Sequence, residues 1–412
     1  MTDQSQVLRE RLVQTLKAKG AIRSGEVEAT FLSVPRHAFL DGVPIEDAYT
    51  DRSFPTKYRD DRPISSSSQP AIMAIMLEQL GLRPGQRVLE IGAGTGYNAA
   101  LMAQIVGDHG AVVTMDIDDD LVASARQHLS DIGFGRVEVI CADGGFGYPA
   151  GAPYDRIILT VGAWDIAPAW LQQLADRGRL VLPLSIRSVQ KSVAFERREE
   201  HLESVSVSDC GFMRLRGMFA GPERIIPLGP SPGPYVSLED DRPVDTDALL
   251  RLLKGPVTEV PAGIELSLKE EFGSLSLWLA LEDPDSCSLG ILAEPSVVER
   301  SPVPLLIEYP AGDRKERATL ALLGKRGLVA LARPSDGPLD PKTSVALSIV
   351  AFDEDSALTG RMREHLAAWD AAGRPKTESL RIRAYPKPVR DPKVFGGSIV
   401  DKRWTTLVIS RV

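Results

Sequence analysis

The sequence predicts an α/β fold with a doubly wound parallel sheet, followed by a second region of α+β character. Apolar runs of strand length alternate with helical patterns between residues 87 and 184. Glycines at 92, 94 and 96 separate the first such run from a helix, as in the first βα unit of a nucleotide-binding sheet. Beyond residue 225 the alternation gives way to strand patterns, which favours antiparallel sheet there.

Two helices and a long irregular stretch precede the sheet, and we assign residues 1–80 to N-terminal helices and a substrate loop. Leucines spaced four apart at 8, 12 and 16 predict a first helix, and residues 24–33 predict a second. Read alone, Arg36 is typical of a solvated or structurally paired arginine. Residues 47–63 are long for a passive connection and predict a lid or substrate rim. The serines at 65–68 precede a helix, so capping and catalysis are both open for them.

The ligand is predicted from the glycine-rich turn at residues 92–96. Gly92, Gly94 and Gly96 let the backbone approach a ligand closely. Glu90, just before them, would repel a pyrophosphate but could steer a cationic group. Asp116 closes the next strand, where a ribose diol would bind. The ligand implied is a nucleoside with positive charge, and S-adenosylmethionine fits; the alternative is a glycine-rich turn without a ligand.

The sheet continues after Asp116 with a helix at 121–129 and a third strand at 136–141. Asp143 and Gly144 follow that strand, and Asp143 could bind an adenine amino group, although an Asp before two glycines is also a common turn former. A fourth strand at 154–161, a helix at 168–175 and a fifth strand at 178–184 complete the winding. Residues 192–195 and 202–207 fit an antiparallel edge.

Bulk properties limit the function classes. With 412 residues, two domains are expected. A net charge of -8 argues against nucleic acid as a partner. Without a bilayer-length apolar run or a signal-peptide core, we expect a cytoplasmic protein with no membrane partner. The three cysteines and five histidines show no ligand spacing, so no metal site is expected.

The second half predicts an accessory domain. We place the first domain at 1–225, a stiff Pro/Gly-rich linker at 226–247, and a C-terminal α+β domain at 248–412. That domain includes a helix over 356–372 and final strands at 380–385 and 404–409. It shows no catalytic constellation, and we expect it to recognise the substrate.

The first two hundred or so residues resemble the protein-L-isoaspartate O-methyltransferase family. The similar segments are Val-Pro-Arg-His-Ala-Phe at 34–39, Ala-Tyr at 48–49, Ser-Ser-Ser-Gln-Pro at 66–70, the glycine turn, Asp116, Asp143 with Gly144, and Pro-Tyr-Asp-Arg-Ile at 153–157. The resemblance implies a Rossmann-like class I methyltransferase domain in which Ser68 is the active-site serine that contacts the methyl-accepting carboxylate. It also implies that Ser66, Ser67 and Tyr49 bind substrate. The family usually has Thr-Ile-Ser at 66–68.

The resemblance further implies transfer of a methyl group from S-adenosylmethionine to a carboxylate of an aspartyl or isoaspartyl residue in a peptide or protein, with closure of the ester to a succinimide. The long second half resembles extended family members that modify ribosomally made peptides, and we favour that role. Broad repair of isoaspartyl proteins is the alternative. A non-catalytic peptide-binding adaptor and a small-molecule O-methyltransferase are further alternatives. The sequence does not indicate an oligomeric state.

Overall fold

The computed structural model describes residues 4–59, 62–222, 224–311, 314–325, 327–334, 343–352, 356–389 and 397–411. The chain divides into two units. The first contains Met1–Ser185, Gln190–Gly221 and Arg381–Ser410, and the second contains Ile186–Val189, Pro222–Leu380 and Arg411–Val412. Among the described residues, no helix has the length and apolar character needed to cross a membrane.

The first unit contains a large sheet with helices around it. Its helices are α1 (Gln4–Ala18), α2 (Gly25–Ser33), α3 (Ile45–Ala48), α4 (Pro70–Leu80), α5 (Tyr97–Val106), α6 (Asp119–Asp131) and α7 (Pro168–Gln173). Its first strands are β1 (Phe54–Arg59), β2 (Arg62–Ser67), β3 (Arg87–Ile91), β4 (Ala111–Asp116), β5 (Glu138–Cys141), β6 (Tyr154–Leu159), β7 (Leu174–Ile186), β8 (Val189–Arg197) and β9 (Leu202–Asp209).

The strand order confirms the doubly wound prediction. In the described residues β7, β6, β3, β4 and β5 are neighbours in that order, with parallel pairing throughout. The order reverses between β3 and β6, and ligands in such sheets bind outside the carboxyl ends of the strands at that point. β1 and β2 form a separate antiparallel hairpin that leads directly into α4.

The helices that precede the sheet share one core with it. Leu16 of α1, Phe31 of α2, Met76 of α4 and Leu101 of α5 are each at most 2% exposed and belong to one cluster of buried apolar side chains. Helix α2 begins at the predicted place because Ser24 caps it, accepting a hydrogen bond from Val27 N at 3.3 Å. The N-terminal helices therefore support the segments that border the carboxyl edge.

The end of the chain belongs to the first sheet, which corrects the predicted domain at 248–412. Strands β18 (Leu380–Pro386), β19 (Ser398–Asp401) and β20 (Thr405–Arg411) extend the sheet beyond β9, and Arg383 pairs with Glu203. Without them β9 would expose an unpaired edge. Buried Asp165 anchors β20 by accepting bonds from Trp404 N at 2.6 Å and Thr405 Oγ1 at 2.5 Å.

The second unit is α+β, as predicted. Its strands are β10 (Arg224–Pro227), β11 (Pro234–Leu238), β12 (Thr258–Leu266), β13 (Ser286–Ala293), β14 (Ile307–Ala311), β15 (Arg314–Leu323), β16 (Leu328–Ala332) and β17 (Val345–Ala351). Its helices are α8 (Thr246–Lys254), α9 (Leu268–Glu270), α10 (Ser276–Glu282), α11 (Pro295–Glu299) and α12 (Ser356–Ala371), with a π-helical turn at Glu271–Leu275. The described strands order as β10-β11-β13-β15-β16-β17-β12, with β14 beside β15.

The predicted linker at 226–247 is wrong. β10 and β11 pair as an antiparallel hairpin, with Ile226 opposite Val236, and β11 continues the sheet by pairing with β13. The Pro/Gly-rich residues at 229–234 therefore lie in the turn region of a hairpin. Proline and glycine favour tight turns as well as stiff linkers, so composition alone did not separate the two.

Candidate functional site

A cavity of about 360 Å³ opens at the carboxyl edge of the parallel strands. Small-molecule sites commonly occupy roughly 300–1,000 Å³. Five stretches contribute most of the lining: residues 64–69 at the β2–α4 junction, 91–95 after β3, 115–117 at the end of β4, 158–161 around the end of β6 with the exception of Leu159, and 209–216 after β9.

The turn after β3 borders this cavity through Gly92 and Gly94. The backbone N–H of Gly92 donates to Met115 O at 2.8 Å, which fixes the turn against β4. Gly92 has φ of 105°, and a Cβ there would lie 2.6 Å from Thr160 Oγ1. Gly94 also has positive φ, and its N–H donates to Asp116 Oδ2 at 3.0 Å. Any side chain at 92 would displace the end of β6.

Gly96 packs against helix α6, whereas Gly92 and Gly94 line the cavity. It has φ of 89°, and a Cβ there would approach Ala125 O of α6 to 3.3 Å. It is absent from the residues that line the cavity. This glycine lets α5 begin close to α6, and its predicted contact with the cofactor stays a prediction.

Asp116 lies at the cavity with its carboxylate oriented by the backbone. Besides Gly94 N on Oδ2, Ile117 N donates to Oδ1 at 2.9 Å. Burial raises the pKa of Asp116, while these backbone hydrogen bonds act in the opposite direction. Asp118 N also donates to Oδ1, at 3.4 Å. An ionised carboxylate offers about four acceptor sites, so these three bonds leave capacity for a hydroxyl of a ligand.

Glu90 does not reach the cavity, contrary to the prediction that it faces the ligand. It is fully buried, and its carboxylate accepts hydrogen bonds from Asn98 Nδ2 at 2.7 Å and Thr114 Oγ1 at 2.6 Å. Burial raises the pKa of Glu90 to about 7, against the effect of those two hydrogen bonds. Asn98 itself lines the cavity. Glu90 therefore holds the side chain of Asn98, a lining residue at the start of α5.

Gly144 lines the cavity, whereas Asp143 is absent from its lining. Both Asp143 oxygens are used by the protein: Oδ1 accepts from Gly145 N at 2.9 Å and Oδ2 from Met218 N at 2.7 Å. The carboxylate thus holds the segment after β9, and its predicted contact with an adenine amino group stays a prediction. At Gly144 a Cβ would lie 2.3 Å from Ile91 Cγ2, so the close approach to β3 requires glycine.

Ser66, Ser67 and Ser68 all line the cavity. Ser66 and Ser67 end strand β2, opposite Pro55 and Phe54 of β1. Ser68 follows them and comes two residues before α4. Its carbonyl oxygen accepts a hydrogen bond, but among the described residues the Ser68 hydroxyl has no hydrogen-bond partner. The hydroxyl is therefore available to a ligand.

Tyr49 was predicted to bind substrate, and the structure places it elsewhere. Its side chain is 6% exposed, its hydroxyl lies 2.8 Å from His37 Nδ1, and it does not line the cavity. The tilted rings of Tyr49 and His37 pack with centroids 5.7 Å apart. Tyr49 thus belongs to the buried apolar cluster of the first unit. An aromatic residue in a polar stretch is compatible with the core and with a substrate site, so the sequence did not distinguish them.

Sequence reasoning missed an ionic cluster at the cavity rim. Asp118 accepts Arg216 Nη1 at 3.1 Å and Nη2 at 2.6 Å, and Lys57 Nζ lies 3.2 Å from Asp118 and 2.5 Å from Asp120. The hydrogen bonds from Arg216 are the main cause of the lowered pKa of Asp118. The cluster joins the β1–β2 hairpin, the β4–α6 loop and the segment after β9. No local pattern could have paired residues so far apart in sequence.

Comparisons with known proteins point to one family. A family profile described as protein-L-isoaspartate(D-aspartate) O-methyltransferase matches residues 7–218. A protein-L-isoaspartate O-methyltransferase of Methanopyrus kandleri is 40% identical over 211 residues, which cover 51% of this chain and 91% of that protein. One from Methanoregula boonei is 43% identical over 202 residues, covering 48% of this chain and 89% of that protein.

The profile spans more than half of the chain and includes the cavity segments from Ser66 to Arg216. The chain belongs to the protein-L-isoaspartate O-methyltransferase family. A solved structure of a protein-L-isoaspartate O-methyltransferase is similar in fold, with a TM-score of 0.51 and 23% identity over 98% of this chain and 99% of that one. The chain is accordingly an S-adenosylmethionine-dependent O-methyltransferase.

The cavity fits S-adenosylmethionine by the acceptor groups and the apolar side chains that line it. Asp116 presents oriented carboxylate oxygens of the kind that accept ribose hydroxyls. The backbone from Gly92 to Gly94 is accessible because no Cβ stands at these two glycines. Ile117 and Leu121 add apolar lining beside Asp116, which suits the face of a base.

Proposed function

We propose that this chain methylates the α-carboxylate of isoaspartyl residues in peptides and proteins, the first step of isoaspartyl repair. The observation that carries the proposal is the Ser68 hydroxyl, which lies at the cavity without a protein partner among the described residues. The curated relatives, named for isoaspartyl substrates, support the acceptor class.

Asp116 would hold the ribose hydroxyls of S-adenosylmethionine, the Gly92–Gly94 backbone its methionine part, and Gly144 would border the base. When bound, S-adenosylmethionine supplies an electrophilic methyl group on a positively charged sulfur. The protein has to bring an acceptor oxygen into line with that group. Holding two reactants in a productive geometry contributes about 7–11 kcal/mol in favourable cases.

The acceptor carboxylate is ionised near neutral pH, so it needs no base. Ser68 Oγ–H would donate to one carboxylate oxygen and leave the other to accept the methyl group. Met73 and Met76 of α4, together with Ile72, give this part of the cavity apolar walls. Such walls exclude water from the carboxylate and so strengthen its interaction with a nearby positive charge.

The methyl ester then has a better leaving group than the free carboxylate. The backbone amide nitrogen of the next substrate residue attacks the ester carbonyl, its proton leaves with the methoxy group as methanol, and a succinimide forms. Water opens the succinimide to aspartate or isoaspartate. These steps need no further residue of this chain.

The sequence favours modification of a ribosomally made peptide because of the second domain. The fold similarity to a solved protein-L-isoaspartate O-methyltransferase extends over 98% of this chain, so a second unit is not by itself a sign of that role. The relatives are named for isoaspartyl substrates, which also favours an isoaspartyl carboxylate as the methyl acceptor. We therefore propose repair-type methylation ahead of peptide maturation.

For the second unit we propose a role in substrate recognition. Because β18–β20 belong to the first sheet, a truncation that removes the second unit and everything after it would also remove three strands of the first unit. A better test uses the full chain with isoaspartyl peptides of increasing length. Recognition beyond the cavity predicts a KM that falls with length at constant kcat, and a KM independent of length would contradict it.

The main proposal is tested with purified protein, S-adenosylmethionine and two peptides that differ only in isoaspartate or aspartate at one site. Mass spectrometry should detect gain of a methyl group on the isoaspartyl peptide, followed by loss of methanol. Methylation of the aspartyl peptide alone would contradict the proposal and favour peptide modification. Binding of S-adenosylmethionine without methylation of either peptide would also contradict it.

A further inference from the structure

Arg36 is a fully buried arginine directly behind the acceptor serine. It begins a short 3₁₀ turn, Arg36–Phe39, that follows α2. Its Nη2 donates to Ser68 O at 3.0 Å and to Arg52 O at 3.3 Å. The Arg36 guanidinium carbon also lies 5.3 Å from the centroid of the Tyr97 ring, so the group is held from two sides.

The surroundings of Arg36 are unusual for a structural arginine. Among the described residues its acceptors are two carbonyl oxygens and, at 3.7 Å, Met73 Sδ, all of them neutral. Within the described residues no carboxylate lies within 4.0 Å of its guanidinium, and its buried Nε has no partner. Burial of a charge without an ion pair is costly, which suggests that its position is used for more than packing.

The stretch from Ser68 to the start of α4 is held at three points. Arg36 binds the carbonyl of Ser68, Gln69 Nε2 donates to Asp51 O at 3.1 Å, and Ala71 N donates to Asp51 Oδ1 at 2.9 Å. The backbone of Ser68 is thus fixed while its hydroxyl stays without a protein partner. Of the three contacts, only that of Arg36 is made to Ser68 itself.

We propose that Arg36 is a positioning residue for methyl transfer, which fixes the carbonyl of Ser68 and thereby the direction of its hydroxyl at the acceptor carboxylate. This inference rests on the proposed role of Ser68. One guanidinium nitrogen, Nη2, bridges the carbonyls of Ser68 and Arg52, while Nη1 lies 3.7 Å from Met73 Sδ. A lysine ammonium can replace only part of this set of contacts. A displacement of about 1 Å at a reacting group can cost on the order of 100-fold in rate.

A double-mutant cycle tests the inference with the full chain and the isoaspartyl peptide. We expect Arg36→Met to lower kcat about 10- to 100-fold, with the Kd for S-adenosylmethionine changed less than about twofold. Arg36→Lys should recover part of the loss. In a Ser68→Ala background, Arg36→Met should change kcat less than about threefold, because the group that it positions is gone.

Arg156 provides a matched control. It is a partly buried arginine that donates to Leu80 O at 2.8 Å, at the opposite end of α4, and it does not line the cavity. Arg156→Met should lower the Tm while leaving kcat within about twofold. A comparable loss of kcat in Arg156→Met would show that α4 packing in general, not the hold on Ser68, sets the rate.

Equal losses from Arg36→Met in the wild-type and Ser68→Ala backgrounds would overturn the proposal, as would a Ser68→Ala variant with wild-type kcat. If Arg36→Met does not fold, Arg36→Lys enters the same cycle under the same criterion. A wild-type protein that binds S-adenosylmethionine but does not methylate the isoaspartyl peptide would refute the proposed function itself. An active wild type with additive effects would refute only the role of Arg36.

Discussion

Replacing Glu90 with glutamine should remove a pH dependence from the stability of the first unit. The Glu90 carboxyl is fully buried, and its pKa rises from 4.5 to about 7 chiefly through burial. Glutamine keeps the shape and stays neutral at every pH. Its amide oxygen can accept from Asn98, and the Thr114 hydroxyl can turn to accept from the amide N–H.

The magnitude follows from the raised pKa. Below 4.5 the carboxyl is neutral in both the folded and the unfolded chain, so its burial carries no charge penalty. As pH rises the unfolded chain ionises first, and the free energy of unfolding falls until pH exceeds the folded value of about 7. The full loss is about 3 kcal/mol, of which about 2.5 kcal/mol falls between about pH 5 and about pH 8.5.

Hydrogen exchange measured by mass spectrometry reports this quantity for peptides from β3 and β4. We expect the wild type to be more stable relative to Glu90→Gln at about pH 5 than at about pH 8.5, by about 2.5 kcal/mol. Glu10→Gln, an exposed substitution on α1, serves as the control and should show no such difference. A wild-type advantage that grows as pH rises would show that Glu90 ionises readily inside the protein and would refute the reasoning.

Three further substitutions test other parts of the first unit. Asp116→Asn should weaken S-adenosylmethionine binding about tenfold in calorimetry, since a charged acceptor is lost; an unchanged Kd would contradict its ribose role. Arg216→Gln breaks the ion pair with Asp118. It should raise the KM for S-adenosylmethionine about threefold with kcat nearly constant. A change in kcat alone would contradict this and show that Arg216 acts in the methyl-transfer step. Asp165→Ala should destabilise the first unit by about 1–3 kcal/mol, because Trp404 N loses its acceptor. The amides of β20 should then exchange faster with solvent. Unchanged hydrogen exchange in β20 would contradict the role of Asp165 in holding this strand.

The glycine turn and its flanking strands could be predicted because their determinants are local. An apolar strand, glycines that permit positive φ and an acid at the end of the next strand lie within about thirty residues, and the parallel sheet follows from their repetition. Gly92, Gly94, Asp116 and Gly144 accordingly lie at the cavity where the sequence placed them.

The features that the sequence did not predict depend on contacts between segments that are far apart in the chain. The strands predicted at 380–385 and 404–409 are present, but nothing in their sequence indicates which sheet edge they extend. Glu90 precedes the glycines as expected, yet Asn98 and Thr114 satisfy its carboxylate inside the protein. For Arg36 the sequence leaves a solvated and a structurally paired arginine open, because its acceptors at Arg52 and Ser68 lie 16 and 32 residues away.

A competition assay tests isoaspartyl methylation most directly. The full chain and S-adenosylmethionine are incubated with equal amounts of an isoaspartyl and an aspartyl peptide of one sequence, distinguished by an isotope label in one of them. The ratio of methyl incorporation gives the ratio of the two kcat/KM values. We expect the isoaspartyl peptide to be methylated at least about 100-fold faster, which corresponds to about 2.7 kcal/mol of discrimination. Equal incorporation, or a preference for the aspartyl peptide, would contradict isoaspartyl methylation as the function of this chain.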